Sequence, residues 1–135
     1  MLDPNARVLD LGCGRGGIVE RLGTQGHWVG IDPDLRSLRT HRVPALPRGQ
    51  APAHRLPFAG RTFDLVVSSW VFEHLPDPKA VFGEVARVLR PGGRLVFLTP
   101  NGSHPIPRLS RCAADLTRLQ ARWVRRTYNR APQDT

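Results

Sequence analysis

The chain of 135 residues contains no run of about 18 apolar residues, which excludes a helical membrane span in the sequence as read. It has only two cysteines, Cys13 and Cys112. Their spacing fits no metal site, and two are too few for a disulfide framework. Lysine is nearly missing, since Lys79 stands alone among 20 basic residues against 11 acidic ones. The resulting net charge of +9 invites a nucleic-acid surface. Basic residues that are almost all arginine, spread along the chain, read instead as the bias of a GC-rich genome, and nucleic acid is not expected as a partner. The N-terminus has no basic segment followed by an apolar one. A reduced, cytoplasmic protein of one domain follows, with 40% apolar residues to build a modest core.

What is present alternates between strand and helix patterns. Arg7–Leu11 is a short apolar run, and Ile18, Val19 and Leu22 then recur at helical spacing until Gly23 and Gly26. Trp28–Ile31 is a second strand. "DPDLRSLRTH" after it starts a helix at an acidic cap with proline just inside. Val43 to Pro57 is rich in proline and shows no convincing strand. "FDLVVSS", Phe63–Ser69, is the clearest strand, almost unbroken in its apolar residues as burial on both faces requires. Asp77-Pro78 caps a helix with Val81, Phe82, Val85, Val88 and Leu89 on one face. "RPGG" stops that helix, and Arg94–Thr99 is the last strand. This alternation predicts an α/β fold with a parallel sheet and right-handed crossovers.

"VLDLGCGRGG", Val8 to Gly17, runs an apolar strand into a glycine turn. Gly12, Gly14 and Gly17 satisfy the dinucleotide spacing, and Gly12, Gly14 and Gly16 satisfy another. Asp10 separates the two readings. A dinucleotide site offers a helix N-terminus to a pyrophosphate, which a neighbouring carboxylate repels. The same carboxylate favours a ligand with a cationic amine, and S-adenosylmethionine carries an amine and a sulfonium but no phosphate. Asp32, after "VGI", suits two ribose hydroxyls and serves either ligand.

"VLDLGCGRG", "GIDPD", "LPFAGRTFDLVVSSWVFEHLPDP" and "EVARVLRPGGRLVFLTPN" together resemble the class I S-adenosylmethionine-dependent methyltransferases, in particular their small-molecule branch. The resemblance covers Ala6 to about Asn101. It implies a Rossmann-like, mostly parallel sheet of order 3-2-1-4-5 with helices on both faces. It also implies S-adenosyl-L-methionine as cofactor and a small-molecule acceptor, with no metal. Gly12, Cys13, Gly14 and Gly16 would form the turn under the methionine part, and Asp10 would serve the amino group. Asp32 would hold the ribose, Pro33 would lie against adenine, and Ser69 would offer its backbone near the sulfonium. Ala53 and His54 fall on the adenine side, where a neutral His54 would accept a hydrogen bond from the amine. Trp70 and His74 would face the substrate. Methyl transfer is an in-line displacement that asks mainly for positioning and exclusion of water. His74 is the candidate base for an acceptor that must lose a proton.

The chain departs from the family pattern in three places. Pro52 stands where an acidic residue usually meets adenine. Only seven residues precede Val8, and nothing after Asn101 reads as the usual antiparallel sixth and seventh strands. The chain is therefore expected to be truncated at both ends, with a core over 1–107. The segment 108–135 reads as a basic amphipathic helix and tail, carrying Leu109, Cys112, Leu116, Leu119 and Trp123 among its arginines. That helix would pack on the fold, touch an anionic membrane surface or meet RNA phosphates. Methyl transfer is the leading function. A truncated or inactive cofactor-binding remnant is the alternative, and a nicotinamide-dependent dehydrogenase is disfavoured by Asp10.

Overall fold

A computed structural model of the chain describes residues 3–23 and 25–100. Five strands form one sheet of order β3-β2-β1-β4-β5, the order the family resemblance implies. They are β1 (Arg7–Leu11), β2 (His27–Asp32), β3 (Arg48–Gln50), β4 (Phe63–Ser69) and β5 (Leu89–Leu98). Every neighbouring pair is parallel. The helices are α1 (Ile18–Leu22), α2 (Leu35–Arg39) and α3 (Pro78–Val88), with a single 3-10 turn at Phe72–His74.

Alternation along β1 and β4 feeds two separate cores. Leu9, Leu11 and Val66 face Val81, Val85 and Val88 of α3. Val8 and Val67 pack with Val19 of α1 and with Trp28. Each fully buried valine of α3 contributes about 1.5–3 kcal/mol through the apolar surface it removes from water. Asp77 caps α3 by accepting from the Ala80 amide at 3.1 Å, with Pro78 in the first turn. α1 is one short turn because Gly23 follows it at φ 74 and donates its amide to the Val19 carbonyl.

The structure corrects four details of the sequence reading. The cap of α2 is Asp34, whose carboxylate accepts from the Arg36 and Ser37 amides, so Pro33 lies before the cap and not inside the helix. A strand does form within the proline-rich stretch. β3 pairs Arg48 with Gly30 and Gln50 with Asp32, and the Arg48 guanidinium donates to the carbonyls of Leu38, Pro44 and Leu46 at 2.7, 3.2 and 3.0 Å. Leu89 leaves the helix face and begins β5 opposite Phe63. The next pairing is Leu65 with Arg94, so "RPGG" is looped out of the ladder. Phe82, expected inside, is exposed and stacks on Phe72 with ring centres 4.8 Å apart. Cys112 and the basic helix expected over 108–135, with its membrane and RNA alternatives, lie outside the described residues. No described helix is long and apolar enough to cross a membrane.

Candidate functional site

The site is built at the carboxyl ends of β1, β2 and β4. After Leu11 the chain turns through Gly12 (φ 77), Gly14 (φ 51) and Gly16 (φ 139), backbone conformations that side chains rarely adopt. Gly12 is also required sterically, because a Cβ there would lie 2.1 Å from Cγ2 of Val71. The turn hangs on β2, since the amides of Gly12 and Cys13 both donate to the Ile31 carbonyl, at 2.7 and 3.1 Å.

Asp32 braces the turn with its side chain. One carboxylate oxygen accepts from the Gly14 amide at 2.9 Å and the other from the Asp34 amide at 2.8 Å. These bonds still leave lone pairs for two hydroxyl donors. At the end of β3, the Gln50 side-chain amide donates to the Pro33 carbonyl at 2.9 Å, and the Ala51 amide donates to the Asp32 carbonyl. Pro33 is exposed there, Ala53 is half-buried against the core, and His54 and Pro52 are exposed.

Asp10 is the unusual member. It is 2% exposed, and its Oδ2 has no hydrogen-bond partner among the described residues. Burial, reinforced by the nearby Asp32 carboxylate, pushes its pKa up to about 6. Burial and the same two carboxylates push the Cys13 thiol up to about 12, so Cys13 is a neutral packing residue and no nucleophile. The Cys13 sulfur also explains Gly30, where a Cβ would lie 2.7 Å from it.

Asp10, Gly12, Cys13 and Gly16 open into a cleft of about 620 Å³, shared with Ser69 and Trp70 from the end of β4. Its far wall is apolar, made by Leu22, Val67, Val96 and Leu98, and its rim carries Glu20, Arg21 and Arg42. Trp70 is 58% exposed and sits at φ 61, a conformation costly for a residue with a side chain. Its amide is held by the Leu98 carbonyl at 2.9 Å. The structure thus brings Asp10, Gly12, Cys13, Gly16, Ser69 and Trp70 to one cleft. Gly14 links them to Asp32, which Pro33 follows in the chain, while Ala53 packs against the core. It does not bring in His74, whose side chain is 70% exposed on the 3-10 turn next to Glu73 and does not line the cleft.

Four supporting residues escaped the sequence reading. Val71 fills the space over Gly12, Gln50 clasps Pro33, and the Ser68 hydroxyl donates to the Leu11 carbonyl at 2.9 Å. The fourth is Glu20, which grips the Arg42 guanidinium at 2.5 and 2.9 Å beside Gly16. Only Ser68 left a trace in sequence, a small polar residue in an apolar strand.

An open parallel sheet of this order, with a glycine turn after β1 and carboxylates at the ends of β1 and β2, defines a nucleoside-binding α/β domain. A family model described as a methyltransferase domain matches residues 9–97. The chain belongs to this family, the class I S-adenosylmethionine-dependent methyltransferases. A ubiquinone biosynthesis O-methyltransferase of Hahella chejuensis is 37% identical over 106 residues, 73% of this chain and 44% of that protein. A demethylmenaquinone methyltransferase of Mycobacterium sp. strain KMS is 40% identical over 103 residues, 73% of this chain and 45% of that protein. A solved S-adenosylmethionine-dependent methyltransferase from Methanosarcina mazei matches at 29% identity with a TM-score of 0.67, covering 81% of this chain and 60% of its own. The chain spans less than half the length of the two curated relatives.

Proposed function

We propose that the protein transfers a methyl group from S-adenosyl-L-methionine to a small, largely apolar acceptor built on a phenol- or quinol-type ring. The observation that carries the donor half is Asp10. A buried carboxylate with an orphan oxygen at the floor of a cleft fits a ligand that brings a cationic amine, and it opposes a pyrophosphate. The acceptor half rests on the apolar wall of Leu22, Val96 and Leu98 beside exposed Trp70, and on relatives whose names place them in quinone methylation.

The residues present fit the cofactor. Asp10 would hold the amine, Asp32 the ribose hydroxyls, and the Gly12–Gly16 turn would let the backbone approach closely. Pro33, Ala53 and His54 would border the adenine, while Ser69 and Trp70 would separate donor from acceptor. Bound there, S-adenosylmethionine supplies a methyl group already activated on a sulfonium. The chain's own contribution is orientation and exclusion of water, which together lower such barriers by about 7–11 kcal/mol at best. Among the described residues no histidine lines the cleft, and this reading takes the acceptor oxygen to arrive ionised, as a phenol or quinol does near its own pKa.

Incubation with methyl-labelled S-adenosylmethionine and a catechol series of increasing tail length tests this reading. Label appearing in the catechol, more efficiently as the tail lengthens, is the expected result. Label transfer to polar amines in preference to catechols would contradict the acceptor class.

A further inference from the structure

The glycine turn is held from two sides, and only one of them is β2. Its first half hangs on the Ile31 carbonyl and the Asp32 carboxylate. Its second half, residues 15–17, takes no hydrogen bond from β2 among the described residues. Gly16 and Gly17 stand there at φ 139 and φ 149. A Cβ on Gly17 would meet nothing within 4 Å, so packing does not hold that residue. Helix α1 follows with no side-chain cap and only five residues, too few to be stable on its own sequence.

Arg42, in the segment after α2, spans this weak stretch. Its amide donates to the Arg15 carbonyl at 2.7 Å, and its Nε and Nη2 donate to the two carboxylate oxygens of Glu20 at 2.5 and 2.9 Å. One residue thus grips the stretch at both ends. The Glu20 carboxylate lies over Gly16, where a Cβ would come within 2.8 Å of its Cδ. Arg42 stands on an anchored segment. The Val43 amide donates to Nδ1 of His41 at 3.1 Å, and the Arg48 guanidinium ties the carbonyls of Leu38, Pro44 and Leu46 to β3. Gly16, Glu20 and Arg42 line the same cleft as Asp10.

We propose that Glu20 and Arg42 are positioning residues for the cofactor, a clasp that sets the second half of the glycine turn and α1 before the cofactor binds. The inference rests on the S-adenosylmethionine reading of the cleft. The pair acts through the backbone of residues 15–20 and not on the reacting atoms. Ordering that stretch in advance removes a cost that ligand binding would otherwise carry. A guanidinium and a carboxylate joined by two parallel bonds fix orientation as well as distance. The Arg42 and Glu20 side chains are 59% and 29% exposed, so the pair contributes little to global stability. Its effect falls on local order and on ligand affinity.

Calorimetric titration of the full chain with S-adenosylhomocysteine, joined to urea unfolding and amide hydrogen exchange, tests this in Glu20→Gln, Arg42→Gln and the double variant. Each single variant should bind about fivefold more weakly, and the double no more weakly than either, because both remove one interaction. Urea midpoints should not move. Amides of residues 15–22 should exchange faster in the free variants and return to the wild-type rate at saturating ligand. The charge-exchanged pair, Glu20→Arg with Arg42→Glu, should bind more tightly than either of those changes alone. Additive losses, unchanged affinity in both single variants, an exchanged pair no better than its single members, or losses that track the urea midpoint would overturn the proposal with the cofactor reading intact. A wild-type chain that does not bind S-adenosylhomocysteine would overturn the cofactor reading, and with it the role assigned to the pair.

Discussion

The two halves of the cleft are built by opposite means. On the β1–β2 side the backbone is fixed by named bonds: the Ile31 carbonyl holds two turn amides, Asp32 holds two more, and Val71 closes over Gly12. On the β4–β5 side there is little polar anchoring beyond the Trp70 amide, and Trp70, Val96 and Leu98 are each more than half exposed. One half is set before any ligand arrives and suits an invariant partner, the nucleoside. The other presents apolar surface and a strained tryptophan, and suits a partner that brings its own apolar area. Preorganisation lowers the ordering cost of binding on the first side, whereas buried area must supply the affinity on the second.

Substitutions should separate the halves. The largest effect is expected from Gly12→Ala, where the added methyl meets Val71 in a left-handed backbone. S-adenosylhomocysteine affinity should fall at least 100-fold by calorimetry, with about 2–3 kcal/mol of stability lost on urea unfolding. Equal binding in this variant would break the claim that the turn is preset. Asp32→Ala removes the acceptor for two amides as well as the ribose partner, so it should cost about 1–3 kcal/mol of stability in addition to affinity. It is therefore a poor probe of ribose contact alone.

Asp10→Asn should act in the opposite direction on stability. Because folding raises the Asp10 pKa from 3.8 to about 6, the folded chain keeps a proton that the unfolded chain loses. The ionisable side chain thus costs little below about pH 4, increasingly more as pH rises to 6, and up to about 3 kcal/mol above it. Urea melts at pH 4 and pH 7.5 should show the asparagine variant gaining only at the higher pH. The smallest effect is expected from Trp70→Gly. Relief of the φ 61 strain offsets the lost packing and the added unfolded-state freedom, leaving stability within about 0.5 kcal/mol. S-adenosylhomocysteine affinity should change less than threefold, while the KM for a catechol acceptor rises.

The polar half of the site was also the more legible in sequence. Glycines, a strand-end aspartate and a second carboxylate after "VGI" are local signals; β1, β2 and β4 followed from local apolar runs, the parallel sheet from their alternation with helices, and the strand order from the family resemblance. β3 was not legible because it is three residues long and owes its conformation to pairing with β2 and to Arg48, both non-local. Phe82 has helical spacing on the α3 core face but meets the edge of the sheet, where its partners are Phe72 and Phe97. His74 looked like a base because its residue type suits the chemistry. Where its ring points depends on the 3-10 turn, which no periodicity announces.

The account turns on the claim that the cleft is made for a nucleoside with a cationic amine and no phosphate. Parallel calorimetric titrations of the chain at pH 7 with S-adenosylhomocysteine and with NADH test it most directly. Binding of the first, weakened in Asp10→Asn, with no heat from the second, is the predicted result. Binding of NADH, strengthened when Asp10 is neutralised, would contradict it.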